Sequence, residues 1–218
     1  MPVPYDLPIL DDFNRADGVV GSNWAHDHGS YNNTQSVASN RARATNSGVL
    51  AMGRWVGAGV PFNANQFAFF ELIASPTTGN DVWLDLRLQN IEAEPGSAYD
   101  GYRLKLIAPS TFRFIRIDED FQTTLSEATL AFAAGDYLLF EMEGTEMRGW
   151  RGRSGVWTQA GAQTDTTHTA TGAIGWGGWQ STLSVPLIDN FCGGSIPAGG
   201  GGGGGGTLPA LSLLTTKA

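Results

Sequence analysis

From residue 49 to residue 191 the chain is an almost unbroken succession of strand-length segments separated by turn residues, and this leaves little room for anything but β-structure. Residues 81–89 show it most clearly. Val82, Leu84, Leu86 and Leu88 alternate with Trp83, Asp85, Arg87 and Gln89, a period of two that predicts a core-facing aliphatic set and a water-facing polar set. Residues 66–73 are instead apolar at nearly every position, the pattern of a central strand buried on both sides. Segments at 102–106, 111–117 and 121–125 read as a meander turning at Asp118-Glu119-Asp120. Segments at 136–143 and 147–151 flank Gly144 as a hairpin, and those at 155–159 and 171–179 lead to a last strand at 188–191. The count is roughly eleven to thirteen strands, more than a seven-stranded immunoglobulin-type sandwich uses.

Composition supports one large β domain. Aromatic residues make up 11% and charged residues only 16%, and 30 glycines break up any long helical pattern. With a net charge of -8 the chain offers no basic stripe for nucleic acid or for an anionic membrane surface. The single cysteine, Cys192, excludes an intrachain disulfide and a cysteine-based metal site. No stretch reaches the length and apolarity of a membrane-spanning helix, and residues 1–6 lack the pattern of a secretory signal. The expectation is synthesis in a cytoplasm, with a virion as destination or otherwise an extracellular surface.

The ends differ from the middle. Residues 1–9 carry three prolines and read as an extended arm. Residues 10–194 form the expected domain and residues 195–206, with eight consecutive glycines, a flexible linker. Residues 207–218 follow with Leu208, Leu211, Leu213 and Leu214, which mark a docking peptide for a neighbouring subunit. Leu10-Asp11-Asp12-Phe13 is echoed by Ile188-Asp189-Asn190-Phe191. Such a pair, side by side, would clasp the first strand to the last.

The stretch from Asp11 to Gly18 with Gly21-Ser22-Asn23-Trp24, then Gly101-Tyr102-Arg103-Leu104, Glu143-Gly144 and Ile188-Asp189-Asn190-Phe191, resembles the laminin-G-like members of the concanavalin A-like lectin/glucanase superfamily. The resemblance spans about residues 9–194. It implies an all-β, two-sheet antiparallel jelly-roll sandwich with its terminal strands adjacent, and it places the chain among modules found in phage virions and on bacterial surfaces. It implies no activity, because such folds carry lectins, glycanases and structural modules alike.

The residues leave several chemistries open. A glycanase needs two carboxyls across a cleft, and Glu141, Glu143 and Glu146 are the nearest cluster; a turn at Gly144 is expected to take Glu146 off the face shared by the other two. Glycan binding needs an aromatic platform with planar polar groups. Trp83, Asp85, Arg87 and Gln89, with Arg103 and Lys105 on a neighbouring strand, supply that mixture, unless Asp85 simply pairs across strands with Arg103 or Lys105. Trp176 and Trp179 in a glycine-rich run are a second aromatic set, competing with a packing role. Asp11, Asp12 and Asp189 would offer oxygen ligands to a calcium ion if the terminal strands meet; the alternative is that the acids serve turns. His26 and His28 lack a third ligand. The function expected is a non-enzymatic structural or adhesion module, oligomeric in context, that docks on other subunits of an assembly through its termini and binds surface glycan. A glycanase and a free carbohydrate-binding lectin are the alternatives.

Overall fold

Two-residue turns set the hairpins. Ser39-Asn40, Glu119-Asp120 and Ser154-Gly155 each have both residues at positive φ, the twist that matches an antiparallel pair of strands. The computed structural model describes residues 9–25, 35–44, 50–75, 77, 79–90, 99–181 and 187–196. Among the described residues there are fifteen strands and no helix: β1 (Gly18–Val19), β2 (Trp24–Ala25), β3 (Gln35–Ala38), β4 (Arg41–Ala44), β5 (Leu50–Trp55), β6 (Gln66–Leu72), β7 (Asn80–Gln89), β8 (Asp100–Ala108), β9 (Thr111–Asp118), β10 (Phe121–Thr129), β11 (Tyr137–Glu143), β12 (Glu146–Arg153), β13 (Val156–Thr164), β14 (Ala173–Gln180) and β15 (Ile188–Ser195).

They form two antiparallel sheets in a sandwich. One has eight strands in the order β1-β3-β4-β15-β6-β11-β12-β13, the other seven in the order β10-β9-β8-β7-β14-β5-β2. The expected meander is the run β7-β8-β9-β10, and the hairpin at Gly144 joins β11 to β12. Facing side chains fill the space between the sheets: Phe70, Phe140 and Phe191 from the first, and Leu84, Leu104, Phe114 and Trp176 from the second. Strand β6 is buried on both faces, as its composition predicts. Ala68, Phe70 and Leu72 join this core, whereas Phe67 and Phe69 pack on the sheet's outer side with Leu139, Trp157, Cys192 and Ile196.

The clasp is present in a different form from the one expected. Residues 10–13 form no strand; Asp11 makes a single antiparallel bridge to Phe191. Leu10 N and Asp11 N both donate to Phe191 O, and Phe191 N donates back to Asp11 O. Phe13 and Phe191 are fully buried; Phe13 packs near Trp24 and Trp176, and Phe191 near Trp24. The first strand proper, β1, lies at a sheet edge, with β3 and β4 between it and β15. Strand β15 runs through Ser195, and Ile196 is buried beyond it, so the folded unit extends past Gly194. The proline arm at 1–8, His26, His28 and the tail with Leu208, Leu211, Leu213 and Leu214 lie outside the described residues.

Candidate functional site

The outer face of the seven-stranded sheet gathers most of the side chains that the sequence singles out for glycan binding. On β14, Ile174 and Trp176 point into the core, so Gly175, Gly177 and Trp179 point out. Cross-strand registers then set beside them Asp81, Trp83 and Asp85 of β7, and beyond these Arg103 and Lys105 of β8. Gly177 is required. A Cβ there would lie 2.4 Å from the Trp83 ring and 2.6 Å from the Ala51 carbonyl oxygen, so only glycine lets the indole lie across β14.

The expectation that this face is wet is overturned for its centre. Trp83 is 1% exposed and Asp85, Arg87 and Arg103 are equally buried. Asp85 and Arg103 are register partners, and their side chains form a two-point pair: Arg103 Nε donates to Asp85 Oδ1 at 2.7 Å and Nη2 to Oδ2 at 3.0 Å. Trp83 Nε1 donates to the same carboxylate at 3.1 Å, and Arg103 Nη2 donates to the Tyr99 hydroxyl at 2.9 Å. The guanidinium carbon also sits 4.3 Å from the Trp83 ring centroid, a cation–π contact strengthened by desolvation. Burial alone would lower the Arg103 pKa, but Asp85 and Tyr99 together more than offset this and raise it. Burial pushes the Tyr99 hydroxyl up to about 12, against the opposing pull of Arg103. The cross-strand pairing is thus realised, in a buried form.

Arg87 is not on this face. It sits at φ 51°, where both registers of β7 slip. That bulge breaks the alternation: Leu86 stays in the core, Leu88 emerges on the outer side with Tyr99, Ile115 and Ile117, and Arg87 turns inward. Its guanidinium donates to the carbonyls of Ala64, His168 and Gly144, with the bond to Ala64 at 2.6 Å. Burial lowers its pKa, partly countered by Tyr102. Arg87 therefore pins the two sheets together at one end of the sandwich. Gln89, half-buried, donates among the described residues to the Ala170 carbonyl at 3.4 Å.

What water can reach is the rim. Lys105 Nζ pairs with Asp81 Oδ2 at 2.9 Å, the two side chains 21% and 14% exposed, and the same ammonium lies 5.6 Å from the Trp83 ring centroid. Trp179, half-buried, stands opposite Asp81 on β14. Its companion Trp176 is fully buried in the core. Asp81, Tyr99 and Met52, whose sulfur lies 3.2 Å from Arg103 Nη2, were not singled out from sequence; the register that brings them in depends on long-range pairing.

The other two clusters are structural. Glu143 and Glu146 are register partners across the β11–β12 hairpin, so the turn brings Glu146 onto the shared face instead of taking it off, correcting the expectation. All three acids converge on Arg148, at 2.9 Å from Glu143, 3.0 Å from Glu146 and 3.7 Å from Glu141. Glu141 also accepts from Trp150 Nε1 at 2.7 Å. A general acid and a nucleophile need freedom to face a substrate, and these carboxylates face one guanidinium.

Asp11, Asp12 and Asp189 do not fit a calcium ion. Both Asp11 oxygens accept N–H groups: Phe13 N at 2.8 Å, Arg15 Nη1 at 2.9 Å, Arg15 Nη2 at 2.6 Å and Trp24 Nε1 at 2.7 Å. Asp12 accepts Asn14 N in a local turn. Asp189 accepts Asn190 N, and its carboxyl is pushed up to about 6 by burial and by Glu71 and Asp12, with Arg41 opposing. Among the described residues no group of three or more His, Cys, Asp or Glu side chains is placed to hold a metal.

No protein-family model matches the sequence, and no curated protein sequence matches it significantly. Solved structures do match in shape. The carbohydrate-binding module CBM66 from Bacillus subtilis superposes with a TM-score of 0.58 at 14% identity, over 80% of this chain and 96% of that one. The fold is a lectin-like β-sandwich. The VIP36 exoplasmic/lumenal domain in its Ca2+/Man3GlcNAc-bound form gives a TM-score of 0.56 at 12% identity, covering 80% and 84%. The GH43 protein BlXynB from Bacillus licheniformis gives 0.52 at 14%, covering 88% of this chain but only 40% of that one.

Proposed function

We propose that this chain is a non-enzymatic glycan-binding module whose site is the outer face of its seven-stranded sheet. The observation that carries the reading is the rim of Trp179, Lys105 and Asp81 standing over a rigid floor of Trp83, Asp85, Arg103 and Tyr99. An indole offers a flat apolar surface to a sugar ring, and a paired ammonium and carboxylate offer hydroxyls a donor and an acceptor at fixed positions. The floor is fully paired, so its role is to hold the rim in place, and a sugar would touch the rim first. That two structurally similar proteins are described as carbohydrate-binding or mannose-containing complexes agrees with this reading. Screening the protein against a glycan array tests it. A glycan bound by the wild type and lost in both Trp179→Ala and Lys105→Ala supports the site, whereas binding unaffected by either substitution refutes it.

The sequence at 199–218 favours a companion role, attachment to other subunits of an assembly such as a virion. Leu208, Leu211, Leu213 and Leu214 follow a glycine tether, as a docking peptide on a leash would. Removing residues 197–218, which leaves β15 and Ile196 intact, is expected to abolish incorporation into the assembly while sparing glycan binding. Unchanged incorporation would defeat this role.

A further inference from the structure

The two sides of the sandwich are finished differently. On one side the outermost strands are β1 and β2, each two residues long among the described residues. On the other side they are β10 and β13, each nine residues long. These two lie against each other across the sheets, where a Cβ on Gly161 would be 3.4 Å from that of Ala128. Long sheet edges invite pairing with another chain, and proteins ordinarily blunt them with lysine, proline or inward-pointing charge. Neither strand contains lysine, arginine or proline, and their one charge, Glu127, is paired with Arg113 of β9 at 2.6 Å. In a chain of net charge -8, these two strands carry no unpaired charge, and the nearest acids to β10 in sequence are in the turn Asp118-Glu119-Asp120 that leads into it. Each strand also begins with an exposed apolar residue, Phe121 at 78% and Val156 at 57%.

Both edges carry a bulge. The register slips between Thr124 and Ser126 in β10, and opposite Ala160 in β13; Leu125 and Ala160 pack against the core. A bulge interrupts edge pairing locally. In β10 it leaves residues 121–124 as a regular stretch, exposed and uncharged.

We infer that residues 121–124 of β10 pair antiparallel with the same stretch of a second copy of this chain, joining two seven-stranded sheets edge to edge. A two-fold contact is self-complementary. Phe121 faces the partner's Thr123 and Gln122 meets its own symmetry mate across the two-fold axis, so no like charges oppose each other and each ring covers a β-branched side chain, a favourable cross-strand pair. The acidic turns at Glu119-Asp120 fall at opposite ends of the pairing. The paired stretch is only about 13 Å long and the interface small, which places the dimer in the weak class, with dissociation on the order of 100 μM.

Sedimentation equilibrium on the full chain tests this, with melting temperatures as a folding control. Wild type should self-associate in that range. Thr123→Lys sets two ammonium groups against the neutral stretch and should weaken the dimer at least about tenfold, with an unchanged melting temperature; Phe121→Ser should weaken it independently. Thr129→Lys, beyond the bulge, should leave it intact. A wild type that stays monomeric at roughly 1 mM overturns the inference. So does a dimer that survives both Thr123→Lys and Phe121→Ser, including one lost only on removal of residues 197–218.

Discussion

Removing Asp85 should be among the most damaging single changes in this protein. The side chain is wholly buried and accepts three hydrogen bonds, two from Arg103 and one from Trp83 Nε1. Asp85→Leu leaves the Arg103 guanidinium buried with the Tyr99 hydroxyl, the Met52 sulfur and the Trp83 face as its remaining described partners. Breaking a buried pair in this way costs about 3–5 kcal/mol, because an uncompensated charge stays inside. Arg103→Met should cost a similar amount by stranding the carboxylate. The double variant should be far milder, about 2 kcal/mol, since both charges are gone and only the Trp83 indole N–H and the Tyr99 hydroxyl lose partners. Urea unfolding followed by tryptophan fluorescence gives all four corners of the cycle, provided the m-value stays constant. A coupling of several kcal/mol is expected. Single variants that each cost less than about 1 kcal/mol, or a double variant as damaging as the sum of the singles, would refute the claim that this pair forms the rigid floor.

Three further predictions concern the frame around it. Gly177→Ala should cost about 1–3 kcal/mol and shift the Trp83 emission, because the added methyl has no space beneath the indole; unfolding curves and emission spectra identical to wild type would contradict the packing. Asp11→Ala should cost about 2–3 kcal/mol in urea unfolding by stranding the buried donors Phe13 N and Trp24 Nε1, and a neutral result would show that the terminal clasp is held by the Asp11–Phe191 backbone bridge alone. Asp189 has its carboxyl raised to about 6 by burial and by Glu71 and Asp12, so the folded state holds its proton more tightly than the unfolded chain does. Its contribution to stability is full below about pH 4 and is lost as the pH rises through about 6. Asp189→Asn should therefore flatten the melting-temperature profile between about pH 4 and pH 7 and raise it at the upper end; a profile parallel to wild type would rule this out.

Local pattern made the architecture legible where period and turn chemistry agree. The aliphatic alternation of Val82, Leu84 and Leu86 and the two-face apolarity of Phe67 to Phe70 each landed where a strand of that pattern must lie. The bulge at Arg87 was invisible because nothing in Leu86-Arg87-Leu88 announces a positive φ; only the carbonyls of Ala64, Gly144 and His168, distant in sequence, make that conformation worthwhile. The same limit applies to the candidate site. Trp83, Asp85, Arg103 and Lys105 were recognisable as one face of adjacent strands, yet their burial depends on what the whole fold lays over the sheet. The acids of the opening motif could be read as ligands or as turn formers, and Arg15 with the Trp24 indole decides for structure by occupying both Asp11 oxygens.

The most direct test of the glycan-binding account is a backbone amide chemical-shift titration with whichever glycan the array identifies. The account predicts that the perturbed amides cluster on β14, β7 and β8 around Trp179, Asp81 and Lys105, leaving the β11–β12 hairpin and the Asp11 clasp unmoved. Perturbations confined to those last two regions, or to the outer face of the eight-stranded sheet, would contradict it.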